Sequence, residues 1–278
     1  GAMRAPLVVS LLLVSPAARA ADPSFSSDRP TFSNSTASVP FGRLVVEGGL
    51  ATAVNLEDHA DPTLFLPEAL VRVGLPLGLE ARLEAPSLGL RPDPRPGTAA
   101  EEVGASDLGL GVKLSLAPLL PISGVATMTV PLEVNGFGAS DEVTATFNVN
   151  AAFDIVPGIG VWIAGFLGHA NDDWQGSAGV GLGFGLGPLS PYAQAFVERS
   201  ASSVDRPVPG QRGPSHLEVV TLGIGAGLTW MVLERLQLDA SFDLLPVRAT
   251  RLLEDRETST PPDLPVALRA GFGATFLL

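Results

Sequence analysis

The chain has 278 residues, 46% of them hydrophobic and only 17% charged, a composition too apolar for a disordered chain. Its 31 glycines and 25 prolines follow no G-x-y period, which excludes a collagen-like or low-complexity assembly. The net charge of −12 argues against nucleic-acid binding, and the absence of cysteine removes disulfides, thiolate metal sites and cysteine nucleophiles.

At the start of the chain Arg4 supplies a positive charge, Leu7 to Val14 form an apolar run broken only by Ser10, and Ala18-Arg19-Ala20 is a small-x-small cleavage site. Residues 1–20 therefore read as a secretory signal peptide, with Gly1-Ala2 ahead of Met3 a cloning scar or mis-assigned start. The apolar run is about half of the ~20 residues a bilayer-spanning helix needs. Cleavage takes two positive charges, Arg4 and Arg19, from −12 and leaves −14. Residues 21–40 are polar and serine-rich and contain Pro23, Pro30 and Pro40, the composition of a periplasmic leader rather than a membrane strand. Within it Asp28 and Arg29 stand beside the rigid Pro30. Two readings are open: a plug or latch that folds back into a lumen and pairs with charges there, or a turn leading into the first strand with a surface ion pair of little energetic weight.

From residue 41 to 278 apolar residues alternate with small or polar ones. Leu108, Leu110, Val112, Leu114 and Leu116 interleave with Gly109, Gly111, Lys113 and Ser115, and Val143 to Phe153 interleave with Thr144, Thr146, Asn148 and Asn150. The period of two over about 9 to 11 residues is that of tilted membrane strands. Twelve such segments are centred on 43–54, 64–75, 79–90, 106–117, 123–134, 143–155, 159–169, 175–186, 191–199, 216–231, 236–246 and 265–278. Five short connections, such as Pro76-Leu77-Gly78 and Pro157-Gly158, interleave with six longer polar loops. The predicted fold is all-β: a transmembrane antiparallel up-and-down β-barrel of about 12 strands, with short periplasmic turns, longer extracellular loops and both ends of the chain inside. A soluble β-sandwich alternates in the same way but does not explain the signal segment, even strand number and loop asymmetry together. Aromatic girdles are thin, with one tyrosine and three tryptophans.

With apolar residues facing lipid, the inward charges follow from strand phase. Arg43, Arg72, Arg82, Lys113 and Arg269 fall on strands one to four and twelve, together with Glu47, Glu68, Glu80, Glu84 and Asp107. The remaining strands offer Glu133, Asp154, Glu198, Glu218, Asp239 and Asp243 and no inward base. Such a lumen either orients a dipolar or cationic solute across a narrow channel or is a salt-bridge network that fills the barrel. Twelve strands at ~4.8 Å spacing and ~40° tilt leave a bore of about 10 Å when nothing fills it, a size for small solutes. Inward glycines, among them 109, 111, 181, 183, 223, 225, 227 and 273, either widen that bore or ease barrel curvature.

The segment Ser27-Asp28-Arg29-Pro30-Thr31-Phe32, followed by Val39-Pro40 and Gly42-Arg43-Leu44-Val45-Val46-Glu47-Gly48-Gly49, resembles the opening of the bacterial "MetA-pathway of phenol degradation" outer-membrane proteins, a D-R-P-x-F motif and a first strand ending in E-x-G. The motif covers about 25 residues; the rest agrees in strand pattern and in the terminal Phe276. The resemblance implies an outer-membrane barrel and a transporter role, and it brings no known catalytic or binding residue with it.

A lipid-hydrolase barrel would carry a serine two residues after a histidine, so that one strand presents base and nucleophile on the same face. Here the three histidines read His59-Ala60-Asp61, His169-Ala170-Asn171 and His216-Leu217-Glu218, and the nearest hydroxyl to His216 is the adjacent Ser215. No nucleotide, zinc-protease or nucleophile-elbow motif occurs, and no cofactor or metal is implied. The sequence thus reads as an outer-membrane channel or transporter of a Gram-negative bacterium, not an enzyme, for passive uptake of small, aromatic or apolar solutes. The alternative is a sealed structural barrel whose acidic loops bind a partner or cations outside; a lipid hydrolase is the weakest reading. Its expected partners are outer-membrane lipids, a small-molecule solute, and the barrel-assembly machinery through the final strand ending Phe276-Leu277-Leu278.

Overall fold

The computed structural model describes residues 27–28, 34–55, 63–92, 101–117, 119–132, 143–170, 173–204, 215–252 and 266–278. The signal segment 1–20 and the residues Arg29, Pro30 and Glu133 lie outside the described residues. The strands are β1 (Leu44–Asn55), β2 (Thr63–Gly74), β3 (Leu79–Ala85), β4 (Leu88–Pro92), β5 (Glu101–Ala105), β6 (Leu108–Ser115), β7 (Ile122–Val130), β8 (Thr144–Val156), β9 (Ile159–Ala170), β10 (Asp173–Phe184), β11 (Leu189–Val204), β12 (Ser215–Leu233), β13 (Leu236–Leu252) and β14 (Ala267–Leu277).

All pairings are antiparallel, and β1 pairs with both β2 and β14, so the sheet closes on itself. β3 and β4 are two pieces of one barrel strand broken at Pro86-Ser87, both lying against β2. β5 and β6 are two pieces of the next, broken at Ser106-Asp107. The two breaks face each other: Ser87 N donates to Ser106 Oγ and Ser106 N to Ser87 O, each at 2.7 Å, so the backbone groups released by the interruption stay satisfied. The result is a closed antiparallel barrel of twelve strands.

Five short connections gather at one end, here the turn end. Gly158 and Gly187 take φ of +82° and +68° there, the left-handed region that tight hairpin turns require. At the other end strands outrun the alternating segments. β11 and β12 remain paired out to Val204 and Ser215, and β12 and β13 out to Leu217 and Leu252. Between the predicted segments 79–90 and 106–117, Arg91 and Pro92 of β4 pair with Glu102 and Glu101 of β5. Backbone pairing continues where no lipid imposes an apolar face, so the period-two signal fades before the strand does.

Leu83, Leu110, Val112, Phe147, Ile163, Ile224, Phe242 and Phe272 stand exposed on the outside, an apolar belt of the kind a bilayer would cover. Trp174 and Trp230 also face outward, whereas Tyr192 is buried inside. The interior carries the polar residues, including Glu47, Arg72, Glu80, Lys113, Asn150 and Thr275, all essentially inaccessible. Among the described residues no helix is long and apolar enough to cross a membrane, which says nothing of a chain that crosses with strands.

Candidate functional site: a leader lodged in the barrel

Strand pairing sets Arg72 of β2 directly opposite Arg82 of β3, and Lys113 of β6 opposite Glu80. Two arginines side by side inside a barrel repel unless an anion sits between them. That anion comes from the leader. Asp28 Oδ2 takes Arg72 at 3.2 Å and is also hydrogen-bonded by Arg82, while Oδ1 takes Lys113 at 3.1 Å and accepts Ser35 N–H at 2.7 Å. Arg72 reaches Glu47 at 2.7 Å, and Arg82 reaches Glu80 at 3.1 Å. Three buried cations (Arg72, Arg82, Lys113) thus meet three buried carboxylates (Asp28, Glu47, Glu80), and the barrel itself supplies only two of the acids. Burial alone would raise the Asp28 carboxyl. Arg72, Lys113 and Arg82 outweigh it and hold that carboxyl well below the usual carboxylate range.

Hydrogen bonds tie the leader across the lumen. Ser27 Oγ donates to Glu47 at 3.0 Å and accepts from Thr275 at 2.9 Å. Asn34 N–H donates to Asn150 Oδ1 at 3.0 Å, Ser123 donates to Ser35 O at 3.1 Å, and Ser115 donates to Thr36 O at 2.6 Å. Val39 N–H donates to Glu80 at 2.9 Å, and the Val39 side chain packs with Val45 and Leu277. The chain then passes directly over Gly74, where a side chain would strike the Val39 and Pro40 carbonyls. β1, β2, β3, β6, β7, β8 and β14 all contribute to holding it.

The wall formed by β9 to β14 is filled differently. Large inward side chains sit directly opposite inward glycines: Trp162 against Gly181, Tyr192 against Gly227, Gln194 and Asp243 against Gly225, Phe196 against Gly223, Asp239 against Gly273. A methyl group at Gly181, Gly223, Gly225 or Gly227 would run into the partner's side chain. At these positions the glycines do not widen the bore. They are the floor on which a neighbouring strand's side chain lies. Arg269 joins this wall, pairing with Glu198 at 3.2 Å, standing 3.8 Å from Asp243 and lying 5.1 Å from the centre of the Phe196 ring. Glu198 and Asp243 therefore share a base, against the expectation of an acidic wall, because β14 closes beside β13 and the Arg269 side chain reaches toward β11 rather than β1.

Space remains between the leader and this wall. A cavity of about 270 Å³ is bounded by leader residues Asn34 to Thr36 on one side and by Trp162, Tyr192 and Gln237 on the other. A second, of about 540 Å³, opens at the turn end beside Asp154 and Gly158. Thr36, Ala152, Trp162, Gly183 and Ser190 line both.

Of the residues singled out from sequence, Asp28, Glu47, Arg72, Arg82 and Lys113 meet in one cluster, and Asp243 and Arg269 meet in another. Asp239 is buried on the same wall as the latter, and Asp154 is exposed at the mouth. Arg43 is corrected: it shares the phase of Val45 and Glu47 but is exposed at the turn end, because β1 begins only at Leu44. Glu218 lies on β12 opposite Ala201 and Arg251. His169 is exposed, edge-on to Trp174 with ring centres 5.0 Å apart. Sequence reasoning passed over Trp162, Ser35 and Thr36 as lumenal groups, whose importance depends on which strand faces which across the lumen.

No protein-family model and no curated protein matches the sequence. Among solved structures, the COG4313 outer membrane channel from Pseudomonas putida F1 is similar in fold, with a TM-score of 0.58 and 11% identity over 87% of this chain and 98% of that one. More distant similarities include the NanC porin, at TM-score 0.43 and 10% identity over 84% and 98% of the two chains. A TodX monoaromatic hydrocarbon channel mutant gives TM-score 0.38 and 9% identity over 86% and 90%. The chain has the fold of an outer-membrane channel.

Proposed function

We propose that this protein is a passive outer-membrane channel for small solutes, aromatic or apolar ones among them, and that the leader is the plug that sets the width of its passage. The observation that carries this reading is the pair of adjoining cavities, with five lining residues in common, left between the lodged leader and the barrel wall. A salt-bridge network that filled the lumen would leave no such space. The leader's D-R-P segment and the barrel fold together support membership in the phenol-degradation-pathway family, with Asp28 as the residue of that motif that anchors the plug. On this reading the outer apolar belt contacts outer-membrane lipid, and the last strand, ending Phe276-Leu277-Leu278, is what the assembly machinery engages.

The test is planar-bilayer recording on the protein beginning at residue 21 and on a variant lacking residues 21–40. Small, steady currents from the first and larger ones from the second are expected. Silence from both, with the folded barrel confirmed by heat-modifiable migration on gels, would refute the channel.

A further inference from the structure

Hairpin turns that stand in water are dominated by Gly, Pro, Asn, Asp and Ser. The turns of this barrel use the first two and replace the rest with leucine. Leu75-Pro76-Leu77-Gly78, the stretch from Leu116 to Pro121, Val156-Pro157-Gly158 and Leu186-Gly187-Pro188-Leu189 contain no polar side chain, and the fifth turn opens on Leu233. Leu77 is 91% exposed and Leu119 86%, and Ile155, Leu186 and Leu233 are each more than half exposed. Phe41, where the leader turns into β1, adds a further exposed apolar tip. Leu77 also holds φ at +63°, a left-handed conformation that is costly for any residue with a side chain. In water nothing would offset that strain, whereas burial of the leucine side chain in lipid would.

The outer apolar belt runs into these tips with no polar row between. On β8 the outward residues Ala145, Phe147, Val149, Ala151, Phe153 and Ile155 follow one another without interruption. Their ten residue steps rise roughly 26 Å at ~3.4 Å per residue and ~40° tilt, already the ~25 Å height of a lipid-facing band. Ile155 falls at the edge of that band, and the exposed Val156 lies beyond it.

We infer that the turn end is a lipid-contact surface, with its apolar tips seated at the boundary between headgroups and acyl chains of the phospholipid leaflet on that side. Among the described residues the exposed charges at this end are Arg43, Asp154, Glu234 and Arg235. Either arginine can lay its stem along an apolar surface while its guanidinium meets a lipid phosphate. Glu234 balances only one of them, and Asp154 lines the turn-end cavity. Ala117, Pro121, Gly158 and Gly185, from three of the turns, line that cavity too, so its mouth opens among headgroups. The inference rests on the membrane placement of the barrel and not on conduction through it.

The chain has no cysteine, so Leu77→Cys, Leu119→Cys and Leu186→Cys each place a single nitroxide label on one tip. Leu110→Cys, on the outer belt, is the membrane control. In vesicles of phosphatidylethanolamine and phosphatidylglycerol, collisions of each label with oxygen, which partitions into lipid, and with the water-soluble nickel complex NiEDDA report its depth. Doxyl-labelled lipids supply the calibration. The three tips should meet oxygen more often than NiEDDA and lie within about 5–10 Å of the headgroup boundary, with Leu110 deeper. Leu119 and Leu186 lack the strained backbone of Leu77, which keeps the test decisive if Leu77→Cys folds poorly.

Tips as accessible to NiEDDA as a free label in water would overturn the inference. Exclusion of both reagents would also overturn it, because protein would then cover the tips, and a second copy of this chain is the only protein in the vesicle. An aqueous Leu110 would remove the membrane placement itself, whereas aqueous tips with a lipid-buried Leu110 would remove this surface alone and leave the channel reading standing.

Discussion

Replacing Asp28 with asparagine tests the ion cluster with almost no change in shape. The carboxylate sits at 3.1–3.2 Å from Arg72 and Lys113 and in hydrogen-bond contact with Arg82. At an effective dielectric of about 20, each such pair contributes on the order of 4 kcal/mol of gross attraction. Much of that is offset by desolvation, and removing one partner from a buried cluster costs about 3–5 kcal/mol. The neutral amide of Asp28→Asn would leave three buried cations facing two carboxylates, Glu47 and Glu80. The barrel has its own continuous hydrogen-bonded sheet, so the loss should fall on docking of the leader and not on the barrel. At 1.4 kcal/mol per decade, the ratio of docked to released leader drops about a hundred- to a few-thousand-fold. The assay pairs single-channel conductance with limited proteolysis of residues 21–40. Conductance should approach that of the leader deletion, and the leader should become cleavable while the barrel stays intact. Unchanged conductance with a protected leader would refute the idea that Asp28 holds the plug.

Acidification should reproduce this only under extreme conditions. The docked Asp28 carboxyl lies below its free value of about 3.9, so its stabilisation is complete above that value and is lost as pH falls through the docked value. Conductance should therefore be flat from pH 8 to pH 5, and a rise within that window would contradict the depressed carboxyl. Filled glycine seats make a different prediction. Gly223→Ala pushes a methyl into Phe196 and to within 2.9 Å of Leu245, whereas the same change at Gly48 meets nothing within 4 Å. Urea unfolding in lipid vesicles should show a loss of about 1–3 kcal/mol for the first and a change within about 0.5 kcal/mol for the second. Equal effects at both would refute the seating.

Period-two alternation made all twelve barrel strands legible, because a strand between lipid and a polar interior cannot slip by one residue without turning every side chain the wrong way. It also assigned Glu47, Arg72, Arg82 and Lys113 to the inside. It could not say what each inward group touches. Lys113 meets Asp28 across 85 residues of sequence, a contact decided by how the leader threads the closed barrel. Arg269 was legible as inward but not as the partner of Glu198, which requires the registers of β11 to β14. The pairing of Trp162 with Gly181 is likewise a register fact, and without it glycines in a strand look like empty space. Arg43 shows the opposite failure, in which the phase is right and the strand stops one residue short.

The leader divides the interior charges, and that division makes a prediction about ions. With Asp28 in place, Arg72, Arg82 and Lys113 are matched by three carboxylates and are buried away from the passage. The passage runs along the other wall, where Asp154 lines it and the remaining charges lie behind its lining. Asp154 stands at its mouth, Glu198 and Asp243 share Arg269, and Asp239 is buried on the same wall. A narrow, low-dielectric bore with that surplus of acid concentrates cations. Without residues 21–40, the cluster loses the Asp28 carboxylate and leaves three cations facing Glu47 and Glu80, with Glu84 beside Arg82, so the field of that wall becomes less negative. Reversal potentials in a potassium chloride gradient should therefore favour cations for the intact protein and move toward anions in the deletion, while total conductance rises. The same reversal potential in both would mean that the leader fills space without setting the field, and that the three buried cations find other neutralising groups when it leaves.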